Sequence, residues 1–254
     1  MRRSAMAVML AGLLAALPAA AGEIALDREP VQGALVTGTL TPANGALEVD
    51  GRPVQVAGDG RFVFGLDRDA DERAELVVEW PDGERLRRAL DVGSRDYEIQ
   101  RIDGLPPSKV TPSEDDLQRI RREAAMVREA RRRDDPRTDF TGDWRWPLHG
   151  TITGVYGSQR ILNGEPRRPH YGIDIAAPTG TPVVAPADGV VTLVHEDMFF
   201  SGGTLLLDHG HGVSSAFLHL SDIHVAEGER VRQGRPLPRW GLRAGSPGRI
   251  STGG

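Results

Sequence analysis

The sequence predicts a mainly β protein in which two β units are joined by a helical segment. Short apolar runs alternate with turn residues such as Asp-Gly and Gly-Gly in both the N-terminal and the C-terminal part of the chain, which is typical of antiparallel sheets. Between them, one stretch carries apolar residues at helical spacing. The 254 residues are enough for two domains, each with its own core.

The start of the chain has the pattern of a secretory signal peptide. Arg2 and Arg3 precede an apolar run over residues 5–17, and small residues follow, so we place a signal peptide at 1–21 with cleavage after Ala21. The apolar core is short against the roughly 20 residues that span a bilayer. The chain contains no cysteine, which excludes disulfides and a lipid-modified cysteine. We expect a periplasmic or secreted cell-envelope protein without a transmembrane helix after cleavage.

Residues 22–104 are predicted to form a small β-sandwich of immunoglobulin-like type. The apolar runs alternate with polar residues, as at Leu47 and Val49, which indicates strands with one buried face. Three turn dipeptides of hairpin type separate the runs: Asp50-Gly51, Asp59-Gly60 and Asp82-Gly83. The unit contains no histidine, so binding or positioning is a better expectation for it than histidine chemistry.

Residues 105–143 are predicted to be a linker with a helix at about 112–133. Thr111 would cap the helix, Pro112 suits its first position, and Glu114 would complete a capping box. The apolar residues of one stripe would bury one side, namely Leu117, Ile120, Ala124 and Val127. The arginines are interleaved with acidic residues, which favours a solvated face over a site for anionic polymers.

The domain predicted at 144–254 contains all seven histidines of the chain. His170 and Asp174 stand four residues apart in HYGID, a pair that would supply two thirds of a catalytic zinc site. The segment is a poor helix, so the chain must bend for both side chains to reach one ion, and Gly172 is the residue expected to allow this. From spacing alone, a surface histidine beside an unrelated aspartate is the alternative.

The residues after this pair resemble a known family. HYGIDIAAPTGTPVVAPADGVV and GGTLLLDHGHGVSSAFLHLSDIHVAEGERVRQGRPL are similar to the lysostaphin/LytM-type zinc metalloendopeptidases, peptidase family twenty-three, from about Leu148 onward. The resemblance implies an antiparallel β-sheet metallopeptidase domain, Zn²⁺ as cofactor and peptidoglycan peptides as substrate. It also implies that His170 and Asp174 are zinc ligands and that His219 is the active-site histidine beside the metal.

Several other residues have open alternatives. Strand alternation would put His219 on the face of Phe217, where it could equally be a packed histidine. Arg160 matches an arginine that often precedes the family's histidine motif, either as a substrate contact or in a loop-ordering ion pair. His209 and His211 could chelate a metal, although the flanking glycines favour a turn. The remaining histidines are expected to be surface or structural: His149, His195 and His224.

One departure from the family pattern concerns the third zinc ligand. In the family a His-x-His motif follows a segment of the type GSTGRSTGP, whereas residues 245–254 read GSPGRISTGG and the motif is missing from this chain. The C-terminal domain is therefore incomplete relative to the family, through truncation, a frame slip near Pro238 or loss of the ligand. We expect a chain of this length to bind zinc weakly and to hydrolyse little, so whether it is an enzyme stays open.

These observations leave two functions. The first is an exported zinc endopeptidase that hydrolyses peptide cross-bridges of peptidoglycan in cell-wall remodelling. The second is a catalytically degenerate family member that acts as an activator or scaffold for cell-wall hydrolases. The net charge of −5 gives no electrostatic case for nucleic acid as a partner.

Overall fold

The computed structural model describes residues 22–103, 113–240 and 250–251. The predicted signal peptide, the proposed Thr111 and Pro112 at the start of the linker helix, and residues 241–249 and 252–254 lie outside this part of the chain. The described residues form nineteen β-strands, one α-helix and a short 3-10 helix, so the predicted mainly β fold is confirmed. None of the helices in the described part has the length and apolar character needed to cross a membrane.

The N-terminal unit is a sandwich of two antiparallel sheets. Its strands are β1 (Glu23–Leu26), β2 (Leu35–Thr41), β3 (Ala46–Val49), β4 (Arg52–Val54), β5 (Arg61–Gly65), β6 (Arg73–Glu79) and β7 (Arg85–Asp91). One sheet has the order β1-β2-β5 and the other the order β4-β3-β6-β7. Their inward faces share one core that includes Val36, Phe62, Leu76 and Trp80, because successive side chains on each strand point to opposite faces.

The strand order relates this sandwich to the immunoglobulin fold. In the constant-type immunoglobulin domain the fourth strand pairs with the fifth, whereas here β4 pairs with β3 and so lies on the other sheet. The β3–β4 hairpin turns through Asp50 and Gly51, which have φ of 50° and 71°. Positive φ at both central residues is the conformation for which Asp-Gly is favoured in two-residue hairpins.

The strand β8 (Ile99–Ile102) does not pair within the sandwich, although the sequence places it in the range expected for that unit. It pairs in parallel with β10 (Gln159–Leu162) of the C-terminal domain, and β10 in turn pairs with β11 (Glu165–Pro166). The sandwich sheets therefore end at β7. A strand-like pattern in the sequence does not identify the partner strand, so the pairing of β8 was not part of the prediction.

The linker helix α1 (Glu114–Ala130) begins two residues later than predicted. Its N-cap is Ser113, whose side chain accepts a hydrogen bond from the Asp116 N–H, while the Asp116 carboxylate accepts one from the Ser113 N–H. The capping box is therefore Ser113–Asp116, and the prediction that Thr111 and Glu114 form it was wrong. The helix also ends earlier, with Arg131 as C-cap instead of continuing to residue 133.

One side of α1 packs on the C-terminal domain, where Val127 and Ala130 lie against Leu193 and Met198. Beside this contact, the Glu123 carboxylate accepts hydrogen bonds from Arg119 Nε at 2.7 Å and from the Phe199 N–H at 2.8 Å. Arg119 also forms an ion pair with Asp197 at 3.2 Å. Arg119 is thus a helix arginine that also contacts the C-terminal domain, and the preference for a solvated face over a site for anionic polymers stays a prediction.

The C-terminal domain consists of antiparallel strands around a second core. Its main sheet has the order β13-β18-β16-β15-β14-β17, and a smaller sheet has the order β19-β12-β9. The strands are β9 (Thr151–Gly154), β12 (Asp174–Ala176), β13 (Pro182–Val184), β14 (Gly189–Met198), β15 (Gly202–Asp208), β16 (Ser214–Ser221), β17 (Arg230–Val231), β18 (Pro236–Trp240) and β19 (Ile250–Ser251). Ile175, Val191, Leu205 and Phe217 are fully buried between the two sheets.

We expect Glu123→Ala to weaken the docking of α1, because the change removes the acceptor of the partly buried Phe199 N–H and leaves the Arg119 guanidinium with Asp197 as its acceptor. The loss of local stability should be about 1–3 kcal/mol, measured as faster amide hydrogen exchange at Phe199. Glu129→Ala is the matched control on the same helix, because Glu129 is exposed and pairs only with Arg132 among the described residues. Its effect should stay within about 0.5 kcal/mol. Equal exchange rates in the two variants would contradict the assigned role of Glu123.

Candidate metal centre

The structure brings His170 and Asp174 together. The distance from His170 Nε2 to Asp174 Oδ1 is 3.2 Å, although four residues separate them in sequence. The bend that the sequence required is therefore present. Gly172 is buried but does not adopt a positive φ; the left-handed glycines near the pair are Gly157 and Gly164, each with φ of 82°. Gly172 is nevertheless the residue at which the chain bends between His170 and Asp174, as the sequence predicted, and the two left-handed turns precede the pair.

The other nitrogen of the His170 ring is held by the backbone. His170 Nδ1 lies 3.1 Å from the Val155 carbonyl oxygen, so this nitrogen carries the proton and donates the hydrogen bond. The lone pair is then on Nε2, the nitrogen that faces Asp174. Metal-bound histidines in proteins are oriented in this way by a carbonyl on the far side of the ring. The ring is therefore fixed before any ion binds.

Asp174 is the first residue of β12, between β9 on one side and β19 on the other. Only 9% of the residue is exposed, and it lies opposite Gly154 in the ladder. A Cβ atom on Gly154 would lie 2.5 Å from Asp174 Oδ2 and 3.0 Å from its Cγ. The carboxylate occupies the space that any larger residue at position 154 would take.

His219 reaches the same region because β16 contains a bulge. Gly203 pairs with Leu220 and Leu205 pairs with Phe217, so Leu218 and His219 stand opposite the single residue Thr204. His219 takes the left-handed conformation, with φ of 57°, and its N–H donates to the Ser201 carbonyl at 2.8 Å. Bulges turn side chains away from the regular alternation of a strand. The expectation that His219 shares the buried face of Phe217 was therefore wrong.

Asp174 acts electrostatically on His219 as well as contacting His170. Burial lowers the pKa of the His219 imidazole, and the negative charge of Asp174 partly opposes this shift. The ring is therefore neutral near pH 7, with one nitrogen able to donate a hydrogen bond and the other able to accept one. Asp174 thus contacts the ring of His170 directly and acts on the ring of His219 through its charge.

The donors of His170 and Asp174 fit one zinc ion. Two ligands at about 2.0–2.2 Å in a tetrahedral arrangement lie roughly 3.3–3.5 Å apart, close to the observed 3.2 Å between Nε2 and Oδ1. Within the described residues, however, no cluster of three or more His, Asp, Glu or Cys side chains has the geometry to hold a metal. The described part of the chain therefore supplies two donors, with His219 beside them.

Arg160 lies on β10 with an exposed side chain, and its guanidinium forms no ion pair with any residue in the described ranges. Its backbone carbonyl accepts a hydrogen bond from the Arg167 N–H at 2.8 Å, which links the strand to the segment before His170. The loop-ordering ion pair considered for Arg160 is thus not formed among the described residues, and a substrate contact stays a prediction.

The two histidines of DHGHG lie outside this centre. His209 is fully buried, with Nδ1 2.6 Å from the Asp188 carbonyl oxygen and Nε2 2.8 Å from Ser215 Oγ. His211 has φ of 51° in the turn and packs on Phe140, with ring centroids 4.9 Å apart. Neither ring belongs to a three-donor cluster in the described part of the chain. Both histidines therefore contribute to packing and hydrogen bonding within the domain and are not part of the candidate metal centre.

Sequence reasoning missed the backbone groups and glycines that support the site. The Val155 carbonyl orients His170, and Gly154 leaves room for Asp174. The only sequence signal was TGVYG, two glycines that flank Val155 and Tyr156 ahead of the histidine motif. A main-chain acceptor has no residue signature, because every residue carries a carbonyl group.

We expect Gly154→Ala to displace the Asp174 carboxylate and to lower zinc affinity by at least about tenfold, because the new Cβ would overlap Asp174 Oδ2. Competition with a chromogenic chelator measures the affinity. Gly142→Ala is the control, because Gly142 has φ of −73° and a Cβ there would meet no atom within 4 Å. Unchanged affinity in a folded Gly154→Ala protein would argue against Asp174 as a ligand.

Burial lowers the pKa of His209, which makes the stability of the domain depend on pH. The unfolded chain binds a proton below the ordinary pKa of about 6.5 and the folded chain does not, so stability falls as pH drops below that value. Between pH 7.5 and 5.5 the wild type should lose about 1 kcal/mol more than His209→Gln, as measured by urea unfolding. His149→Gln, at an exposed position, should keep the wild-type slope. If the free energy of unfolding fell equally with pH in His209→Gln and in the wild type, His209 would not be the source of the pH dependence.

Comparison with known proteins agrees with the fold and the position of the site. Residues 168–250 match Peptidase family M23. A crystal structure assigned to peptidase M23 from Pseudomonas aeruginosa is 29% identical, with a TM-score of 0.67 over 89% of this chain and 89% of that one. The similarity therefore includes the N-terminal sandwich and the helix as well as the C-terminal domain.

Two curated relatives match the C-terminal domain. The peptidoglycan DD-endopeptidase ShyA of Vibrio cholerae is 37% identical over 98 residues, which are 35% of this chain and 22% of that protein. The murein hydrolase activator NlpD of Escherichia coli is 28% identical over 107 residues, which are 42% of this chain and 26% of that protein. The chain thus spans about a quarter of the length of either relative. Together with the fold, these matches show that the C-terminal domain is similar to Peptidase family M23 over residues 168–250.

Proposed function

We propose that this chain is an exported, zinc-dependent endopeptidase that hydrolyses peptide cross-bridges of peptidoglycan during cell-wall remodelling. The observation that carries the proposal is the 3.2 Å approach of His170 Nε2 to Asp174 Oδ1, with the other ring nitrogen held by the Val155 carbonyl. With its proton on Nδ1, the neutral His170 ring directs the lone pair of Nε2 toward the negatively charged Asp174 carboxylate. This arrangement is repulsive unless a cation lies between the two groups, which favours metal binding. The similarity to a DD-endopeptidase supports peptidoglycan peptides as the substrate class.

In this proposal His170 and Asp174 hold the zinc ion. Zinc bound there would activate water and polarise the carbonyl of the peptide to be cut. His219 would stabilise negative charge that develops on that carbonyl oxygen by donating a hydrogen bond from its neutral ring. The lowered pKa of His219 suits this role, because the ring keeps both a donor and an acceptor near pH 7.

The cell-envelope location is part of the proposal. It is supported by the signal-peptide pattern of residues 1–21 and by relatives whose names refer to peptidoglycan or murein. Peptidoglycan peptides would be the partner that binds beside His170, Asp174 and Arg160. Arg160, exposed on β10 ahead of the metal pair, is the proposed contact for a carboxylate of such a peptide.

A second candidate is an activator or scaffold for cell-wall hydrolases. It is favoured by the two-donor composition of the centre in the described residues and by the similarity to a murein hydrolase activator. In that case the domain would bind a hydrolase or the cell wall without cutting peptides. The two candidates predict different products from the same substrate.

The deciding experiment measures release of soluble muropeptides from purified peptidoglycan, with and without added Zn²⁺. For the endopeptidase, the wild type should release peptides with new amino termini, slowly and only with Zn²⁺ in excess, because the two donors of the described centre hold the ion weakly. His170→Ala and Asp174→Asn should reduce release by at least about 100-fold, since each removes a ligand of the ion. His219→Ala should lower the rate by about 10²–10³-fold while zinc affinity changes much less. His195→Ala, outside the centre, is the matched control.

The same variants distinguish the second candidate function, an activator or scaffold, from the endopeptidase. An activator should release nothing by itself, should increase the turnover of a purified cell-wall amidase, and should do so equally well with Asp174→Asn. Wild-type hydrolysis that survives in Asp174→Asn would reject the zinc assignment. Absence of both hydrolysis and amidase stimulation would reject both candidates.

A further inference from the structure

We infer that the N-terminal sandwich sets the position of His170 through one buried side chain, that of Arg68, which is thus a positioning residue for the metal centre. The inference rests on the proposed function, in which His170 binds the ion. It extends that function by assigning a role to the N-terminal unit.

Arg68 lies at the surface of the sandwich that meets the C-terminal domain, and only 8% of it is exposed. Its Nε donates to the Gly157 carbonyl at 2.8 Å, across 89 residues of sequence. Its guanidinium lies over the Tyr97 ring at 4.3 Å from the centroid and pairs with Asp69 at 2.5 Å. Burying a guanidinium is costly unless its hydrogen bonds are made, so these contacts fix the side chain in one orientation.

The loop that Arg68 holds is the loop that holds His170. The Gly157 N–H donates to the His170 carbonyl at 2.7 Å, and the His170 N–H donates to the Ser158 carbonyl at 2.8 Å. The Val155 carbonyl completes the set at the imidazole, 3.1 Å from Nδ1. The backbone and the ring of His170 are thus held by three residues of the segment 155–158, and Arg68 donates a hydrogen bond to one of them, Gly157.

Close packing prevents this loop from shifting to another position. Gly157 has φ of 82°, and a Cβ there would overlap the Tyr97 ring. Tyr156 packs against Tyr97 and Tyr171, with centroid distances of 6.4 Å and 6.1 Å. Tyr171 is the neighbour of His170 in the chain. Contacts from Arg68 and Tyr97 therefore reach the metal centre both through hydrogen bonds and through aromatic rings that meet at tilted angles.

Arg68 is distinct from the contacts that attach the two units to each other. The β8–β10 ladder fixes residues 159–162, which follow the loop, and α1 docks on the far strand β14. Removing the Arg68 guanidinium leaves both attachments in place. The change should therefore loosen residues 155–158 and His170 without separating the units.

The test compares Arg68→Met and Arg68→Lys with Arg87→Met in the full chain. Arg87 is an exposed arginine of the same sandwich that pairs with Glu75 at 3.2 Å, so it controls for loss of a charge. Three quantities are measured: amide hydrogen exchange at Gly157 and His170 in metal-free protein, the ¹⁵N shifts of the His170 ring, and Zn²⁺ affinity by chelator competition.

We expect Arg68→Met to speed exchange at the two amides by at least about tenfold, to shift the His170 ring resonances and to weaken Zn²⁺ binding by about tenfold, the size typical of lost outer-shell support. Arg68→Lys, which keeps a donor, should recover most of the affinity. Arg87→Met should change none of these quantities by more than about twofold. If Arg68→Met does not fold, Arg68→Lys should still show an intermediate rise in exchange.

A folded Arg68→Met protein that matches Arg87→Met in exchange, ring shifts and affinity would overturn the inference. So would wild-type values in Arg68→Lys where Arg68→Met does not fold. Failure of the proposed function would look different, because His170→Ala would then leave zinc binding unchanged. In that event the exchange rates and ring shifts of the metal-free protein still decide whether Arg68 positions His170.

Discussion

The arrangement of the C-terminal domain depends on placing the Asp174 carboxylate within reach of two imidazole rings. The distance from His170 Nε2 to Asp174 Oδ1 is 3.2 Å, and the charge of Asp174 partly opposes the effect of burial on the pKa of His219. A buried carboxylate is stable only where partners compensate its lost hydration. The missing side chain at Gly154 and the bulge at His219 are the two local adaptations that make this placement possible.

Among the described residues, several hydrogen bonds connect the N-terminal half of the chain to the C-terminal domain. The β8–β10 ladder joins the two units through the backbone, and Arg68 reaches the loop that contacts His170. On the opposite side of the main sheet, Glu123 joins α1 to the β14–β15 hairpin at Phe199. His219 bonds the carbonyl of Ser201 in the same hairpin. Arg68 therefore contacts the loop that holds His170, and helix α1 contacts the hairpin that accepts the hydrogen bond of His219.

Much of the fold could be predicted from sequence because local chemistry determines it. Asp50-Gly51 forms its hairpin with positive φ at both residues, and the apolar alternation at Leu47 and Val49 identifies the buried face. The pairing of β8 with β10 could not be predicted, since the partner of a strand is set by tertiary packing. The helix start was misplaced because Thr111 and Ser113 are both good capping residues, and Asp116 rather than Glu114 completes the box.

The site was predictable to a similar degree. The spacing in HYGID and the family resemblance pointed to His170 and Asp174, whose donors meet in the structure. The orientation of His219 was not predictable, since a bulge is a property of two paired strands and His219 is only one residue in one of them. Arg68 lies 102 positions before His170, and no local pattern connects them.

The parallel β8–β10 pair has a consequence for how such chains can be recombined. A graft that takes only the part of the chain from residue 144 onward would leave β10 with a bare edge where Ile99–Ile102 now lies. Exposed edges of this kind recruit other strands and promote aggregation. The smallest portable unit of the C-terminal domain therefore has to include β8, a segment that belongs to it in space although it follows the sandwich in the chain.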